Sequence, residues 1–327
     1  MLPKSLKAVF AIGPFLAAFG TLAQGVLGEE KLREPISPLP ISIEVDTERA
    51  DLGRLLFFDP SLSGDGTVSC STCHVLEAGG DDGLVHSFGV DGSEGVINAP
   101  TVYNAALNFA QLWDGSAETL EDQVNGPILN PVEMASDWNR VLASLSKKPD
   151  LVEVFERVYP EGLTADAVRQ SLAEFQRTLV TPNSPFDTYL RGQADAISQQ
   201  AKDGYVLFKS YGCSSCHQGR NVGGNMYEKL GVVHNYFSGK EDITEADYGR
   251  FNQTGLEAHR FEFKVPGLRN VALTAPYFHD GSSSDLQSAV LAMAWYQLGR
   301  KLTEEETNKI VAFLFTLTGK HPELAEQ

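Results

Sequence analysis

The sequence predicts a mainly α protein in two similar halves with long loops, and three observations carry that prediction. The pentapeptide Cys70-Ser-Thr-Cys73-His74 is repeated as Cys213-Ser-Ser-Cys216-His217, and the two copies take all four cysteines of the chain. Gly53-Arg-Leu-Leu-Phe57 precedes the first copy and Gly204-Tyr-Val-Leu-Phe208 the second. Apolar residues recur at helical spacing in each half, whereas convincing strand alternation is lacking.

The elements follow in order. Lys4 and Lys7 precede an apolar run over residues 8–19, and Thr21-Leu22-Ala23 offers small residues for cleavage, so residues 1–23 read as a secretory signal peptide. That run is too short for a confident membrane span, and no other stretch approaches the length needed. The expected mature protein is therefore soluble and periplasmic. Its first half, residues 24–183, holds a short helix ahead of the first pentapeptide. A closing helix follows, on which Val168, Leu172, Phe175 and Leu179 share a face. Prolines in Thr181-Pro-Asn-Ser-Pro185 interrupt the helical pattern and mark the boundary. The second half, residues 184–327, repeats the plan, with Ile310, Phe313, Leu314 and Leu317 on the face of its last helix. Thr303 followed by Glu306 forms a capping box that fixes where this helix starts.

The repeated pentapeptide is C-x-x-C-H, the pattern that attaches a c-type haem: each thiol adds across a vinyl group and the adjacent histidine ligates the iron. A zinc ribbon also uses paired cysteines, but places its pairs about 15–20 residues apart and does not give each its own following histidine. A thioredoxin-like pair needs neither a second copy nor a histidine. Disulfides suit an exported protein, yet two identical motifs with no cysteine left over favour haem. Two covalent haems, one per cytochrome c-like domain, are the expectation. The formal net charge of −17 excludes nucleic acid as a natural partner. It suits a basic electron donor, or simply a well-solvated periplasmic surface.

A haem with two protein ligands passes electrons, while one with an open position can bind and cleave a small molecule. Beyond His74 and His217, the candidate ligands are Met134, Met226 and Met293, with His86, His234, His259, His279 and His321. Met226 follows His217 too closely to cross to the other haem face. Met293, in an apolar segment, is a reasonable distal ligand, although a thioether also fills cores. Met134 stands at a workable interval after His74, so residue spacing alone leaves two saturated electron-transfer haems open.

Several stretches resemble the bacterial dihaem cytochrome c peroxidases. For the N-terminal half these are Leu52-Gly-Arg-Leu-Leu-Phe-Phe-Asp59, Asn98-Ala-Pro-Thr101, Gln111-Leu-Trp113-Asp-Gly115 and Pro131-Val-Glu133-Met134; for the C-terminal half, Pro185-Phe-Asp187, Val265-Pro-Gly-Leu-Arg269-Asn270 and Ala275-Pro-Tyr-Phe-His279-Asp-Gly281. The resemblance implies a peroxidatic N-terminal haem on His74. It also implies an electron-transfer C-terminal haem on His217 and Met293, fed by a soluble c-type cytochrome or small copper protein, for reduction of hydrogen peroxide to water. It further implies Trp113 as a relay between the haems, Glu133 and Gln123 over the peroxidatic iron, and one calcium ion held at the domain interface by Asn98, Thr274 and Pro276. Oxygen ligands of that kind suit calcium, and a carboxylate at Glu133 can carry the proton that peroxide cleavage moves. Both a monomer and a homodimer fit.

One position departs from the pattern. Members that require reductive activation carry a displaceable histidine sixteen residues after the proximal one; here Val90 stands there, with His86 nearby. Valine cannot ligate iron. MauG-like enzymes, which oxidise a protein side chain, share the architecture and lack that histidine, but have tyrosine where Met293 stands. The expectation is a periplasmic dihaem cytochrome c peroxidase, with a MauG-like oxidase and a non-catalytic dihaem electron carrier as the alternatives.

Overall fold

The protein is described here by a computed structural model covering residues 34–321. The expected signal peptide lies outside the described residues. Residues 35–321 belong to one compact unit, with two large clusters of buried apolar residues. One runs from Leu52 to Leu179; the other gathers Ile36 with residues between Phe186 and Leu317.

Seven helices of eight or more residues are present among the described residues: α1 Thr47–Phe57, α2 Trp138–Leu145, α3 Pro149–Val158, α4 Ala165–Thr178, α5 Gln199–Tyr211, α6 Leu286–Leu298 and α7 Glu304–Phe315. Among the described residues two short strands, β1 Tyr227–Lys229 and β2 Glu262–Lys264, pair antiparallel with Tyr227 opposite Lys264. The helix-rich class read from the sequence is what the structure has. Each helix start has a chemical cause. Asp46, Thr164, Ser198 and Asp285 cap α1, α4, α5 and α6 by accepting from backbone N–H groups that the helix cannot satisfy. Thr303 and Glu306 form the expected capping box on α7.

The sequence repeat is a packing repeat. Helix α1 lies against α4, and α5 against α7. Both crossings are made at glycine: a Cβ on Gly53 would stand 1.8 Å from the Ser171 carbonyl oxygen, and one on Gly204 1.9 Å from that of Lys309. Four residues on, Phe57 meets Phe175 at 5.1 Å between ring centres, and Phe208 meets Phe313 at 5.0 Å. Asn104 and Asn270, each in the left-handed region, also correspond. Asn104 donates its backbone N–H to Leu179 and Asn270 to Leu317, so each ties a loop to the chain just after α4 or α7. Thr181 joins the two, bonding Asn104 at 2.9 Å and Asn270 Oδ1 at 3.3 Å.

Residues 36–39, assigned by sequence to the first half, pack on the second. Ile36 belongs to the second cluster and bridges to Gly219. A buried Arg269–Asp187 ion pair at 2.8 Å secures the segment: Asp187 accepts the Leu39 N–H and Arg269 donates to the Ser37 carbonyl.

Candidate active site

Both pentapeptides fold alike. In each, the histidine N–H returns to the carbonyl of the first cysteine, His74 to Cys70 and His217 to Cys213, both at 3.0 Å. At the second motif both cysteines and the histidine border one space. His74 Nδ1 lies 3.2 Å from the Gly80 carbonyl and His217 Nδ1 3.3 Å from that of Val222. A carbonyl can only accept, so Nδ1 carries the proton and Nε2 keeps its lone pair for a metal. Burial pushes both imidazoles below the usual range, His217 to about 4, which keeps them unprotonated at neutral pH.

The four cysteines form no disulfide, which leaves their sulfurs available for a cofactor. Burial pushes Cys70 up to about 12 and Cys213 to about 11. A thioredoxin-like pair would instead have a depressed thiol.

Beside the second pentapeptide lies an apolar cavity bordered by Cys213, Cys216 and His217, with Met293, Phe263 and Trp113 also on its wall. The residues fit a haem: two thiols, an imidazole with a free lone pair, and a thioether around one space. Met293 reaches it from α6. Met226 lies on the strand side, where its carbonyl accepts from Val265.

Near the first pentapeptide stands Glu133, with Asp82 and Ser87. It is half-buried; desolvation raises its pKa, and Asn130 Nδ2, donating at 2.7 Å, partly offsets that rise. Its charge reaches the first motif: after burial, Asp82 and Glu133 add to what raises the Cys73 thiol. Val90 is 5 % exposed and its N–H donates to the Glu133 carbonyl at 2.8 Å, so the departing position packs directly behind the carboxylate's own backbone. Gly89 permits the approach; a Cβ there would meet the Val132 carbonyl at 2.1 Å. His86 is turned to Glu94, with Nδ1 to Oε1 at 3.2 Å. Gln123, at the end of the turn Leu120–Gln123, is half-buried. Met134 is buried in the first apolar cluster.

Trp113 donates its indole N–H to the Asn98 carbonyl at 2.9 Å and accepts the Lys264 N–H at 2.8 Å. Asn98, Thr274 and Pro276 border the same cavity, and the Asn98 amide nitrogen donates to the Leu84 carbonyl at 2.9 Å, which turns its Oδ1 the other way. His279 stands 6.5 Å from the Trp113 ring, centre to centre, and donates from Nε2 to Asp247 at 2.8 Å. Asp247, His279 and Asp280 converge closely enough to suggest a metal site. Lys240 already fills that role, bonding Asp247 at 2.5 Å and Asp280 at 3.0 Å. Sequence reading passed over this cluster, Asn130 and Lys264. Only His279, within its Tyr-Phe-His-Asp-Gly run, carried a signal.

A family model for di-haem cytochrome c peroxidase matches residues 47–195. Cytochrome c551 peroxidase of Nitrosomonas europaea is 43% identical over 324 residues, covering 99% of this chain and 91% of that protein. The chain belongs to the di-haem cytochrome c peroxidase family. As a family member it is built around two haems. Cytochrome c peroxidase Ccp of Escherichia coli (strain K12) is 48% identical over 291 residues, which is 89% of this family member but only 62% of that relative's length. A crystal structure of a MauG-like protein associated with microbial copper homeostasis superposes with a TM-score of 0.75 at 26% identity, covering 89% of this chain and 95% of that one. No helix among the described residues is long and apolar enough to cross a membrane.

Proposed function

We propose that the protein is a periplasmic cytochrome c peroxidase, reducing hydrogen peroxide to water with electrons from a soluble c-type cytochrome or small copper protein. The observation that carries this is Met293, whose thioether borders the cavity of His217, in a chain that belongs to the di-haem cytochrome c peroxidase family. Each motif has a half-buried carboxylate whose charge raises its second cysteine, Glu133 at Cys73 and Glu228 at Cys216, so the carboxylates alone do not tell the two apart; the family resemblance gives the proton-carrying role to Glu133.

In this reading residues 24–183 and 184–327 each carry one covalent haem, through Cys70 and Cys73 with His74, and through Cys213 and Cys216 with His217. The haems supply the iron centres for peroxide binding and electron transfer. Glu133 takes the proton from one peroxide oxygen and returns it to the departing one. Asn130 orients that carboxylate, and Gln123 orients the peroxide by hydrogen bonding. Met293 favours the ferrous state and so a high potential at the second site. Trp113, on the wall of the second site's cavity and held by its bond to Asn98, is the proposed relay between the sites. Asn98, Thr274 and Pro276 are the proposed calcium ligands, a side-chain oxygen and two carbonyls.

Met293 also bears on the alternative, since the MauG-like pattern has tyrosine there. The test is peroxide-dependent oxidation of a reduced c-type cytochrome by the haem-loaded protein, with two donor molecules oxidised per peroxide. Absence of that oxidation in protein shown by mass to carry both haems would reject a peroxidase role.

A further inference from the structure

Lys264 ends β2 on the border of the cavity beside Cys213, Cys216 and His217. It is only 7 % exposed. Its backbone N–H is spent on the Trp113 carbonyl at 2.8 Å, but among the described residues no carboxylate or hydrogen-bond acceptor engages its ammonium. Burial alone acts on that group and pushes it down to about 8, so it remains charged at neutral pH. Glu228, the acidic residue on the same wall, does not compensate it; its carboxylate accepts the Lys229 N–H at 2.8 Å. Arg269, the other cation bordering the cavity, is matched by Asp187.

An unmatched buried ammonium is costly unless an anion arrives to pair with it. His279 cannot be a second anchor for an anion. Its Nε2 hydrogen is given to Asp247, and burial keeps the ring neutral, so the unpartnered Nδ1 is an acceptor. We propose that Lys264 is a carboxylate-binding residue of this cavity, pairing with a propionate of the haem held at Cys213–His217 and thereby setting that haem's potential. The assignment rests on the haem-binding reading above.

A cation fixed beside the haem edge favours the reduced, less positive iron, and pairing removes the opposite influence of a bare carboxylate. Lys264→Met keeps the length of the side chain without its charge. Redox titration of the haem-loaded variant should show the second haem's oxidised-to-reduced ratio, at a fixed potential, raised tenfold or more, which is about 59 mV for one electron. Lys264→Arg should restore it, and the methionine–iron absorption should persist in both. A midpoint unchanged in Lys264→Met overturns the assignment. A crystal structure of the unaltered holoprotein decides the same point without any variant: Nζ within about 4 Å of a propionate oxygen is the expected result, and a larger separation from both carboxylates overturns it. Unaltered protein lacking haem at Cys213 and Cys216 would instead defeat the reading underneath, a failure visible in its mass.

Discussion

Asn130 donates its side-chain N–H to Glu133 at 2.7 Å, a bond that steadies a carboxylate otherwise pushed by burial toward its neutral form. Glu133→Gln keeps the shape and removes the base. Peroxide turnover should fall by about a hundredfold or more, within the range of general acid–base catalysis, with both haem spectra intact. Near-normal turnover would move the role to water or Gln123.

The same pair sets a pH limit. Glu133 titrates above the ordinary glutamate value of 4.5, and only its ionised form can take a proton. Activity should therefore decline as pH drops through that raised value. Asn130→Ala removes the bond that favours the charged form, so the acid limb of the rate profile should move to higher pH. An unmoved limb would show that another group is titrating.

Gly53 and Gly204 should be intolerant of any side chain. Gly53→Ala and Gly204→Ala each drive a Cβ into a facing helix carbonyl at under 2 Å, and a backbone atom cannot swing aside as a side chain can. Each should destabilise by about 3 kcal/mol or more in urea unfolding. Gly239, with open space around its Cβ position, is the control; Gly239→Ala should be near neutral.

Much of this was legible in the sequence because it is local. The paired thiols and histidines share one turn, the capping box of Thr303 and Glu306 spans one turn, and the apolar faces of α4 and α7 follow helical spacing. What escaped is what folding brings from afar. Nothing local says that Asp187 will receive Arg269, or that residues 36–39 will cross to the second cluster. Lys264 carries no signal in the sequence until the wall around it is seen, and Asn130 none until Glu133 is beside it. Glycines Gly53 and Gly204 were visible as a repeat, but their purpose appears only with the partner helices.

Asp247 should shape acid stability. Burial opposes its charge, but hydrogen bonds from Lys240 and His279 prevail and hold it down to about 2. With a folded value below the ordinary 3.8, its contribution is complete above about pH 4 and is lost as pH falls toward 2. Lys240→Met should lower stability near neutrality and flatten the loss between pH 4 and 2, read from urea unfolding at each pH. An unchanged acid slope would show that the ion pair does not form in solution.

The division of labour between the two haem sites is the central claim, and Val90 makes it measurable. Val90 is packed against the Glu133 backbone and His86 is engaged by Glu94, so no imidazole from this loop closes the first site. Electron paramagnetic resonance of the fully oxidised holoprotein should show one high-spin haem, open to peroxide without prior reduction, and one low-spin haem ligated by His217 and Met293; activity should begin without a lag. Two low-spin signals, with one lost in His86→Ala together with a reduction-dependent lag, would contradict the account.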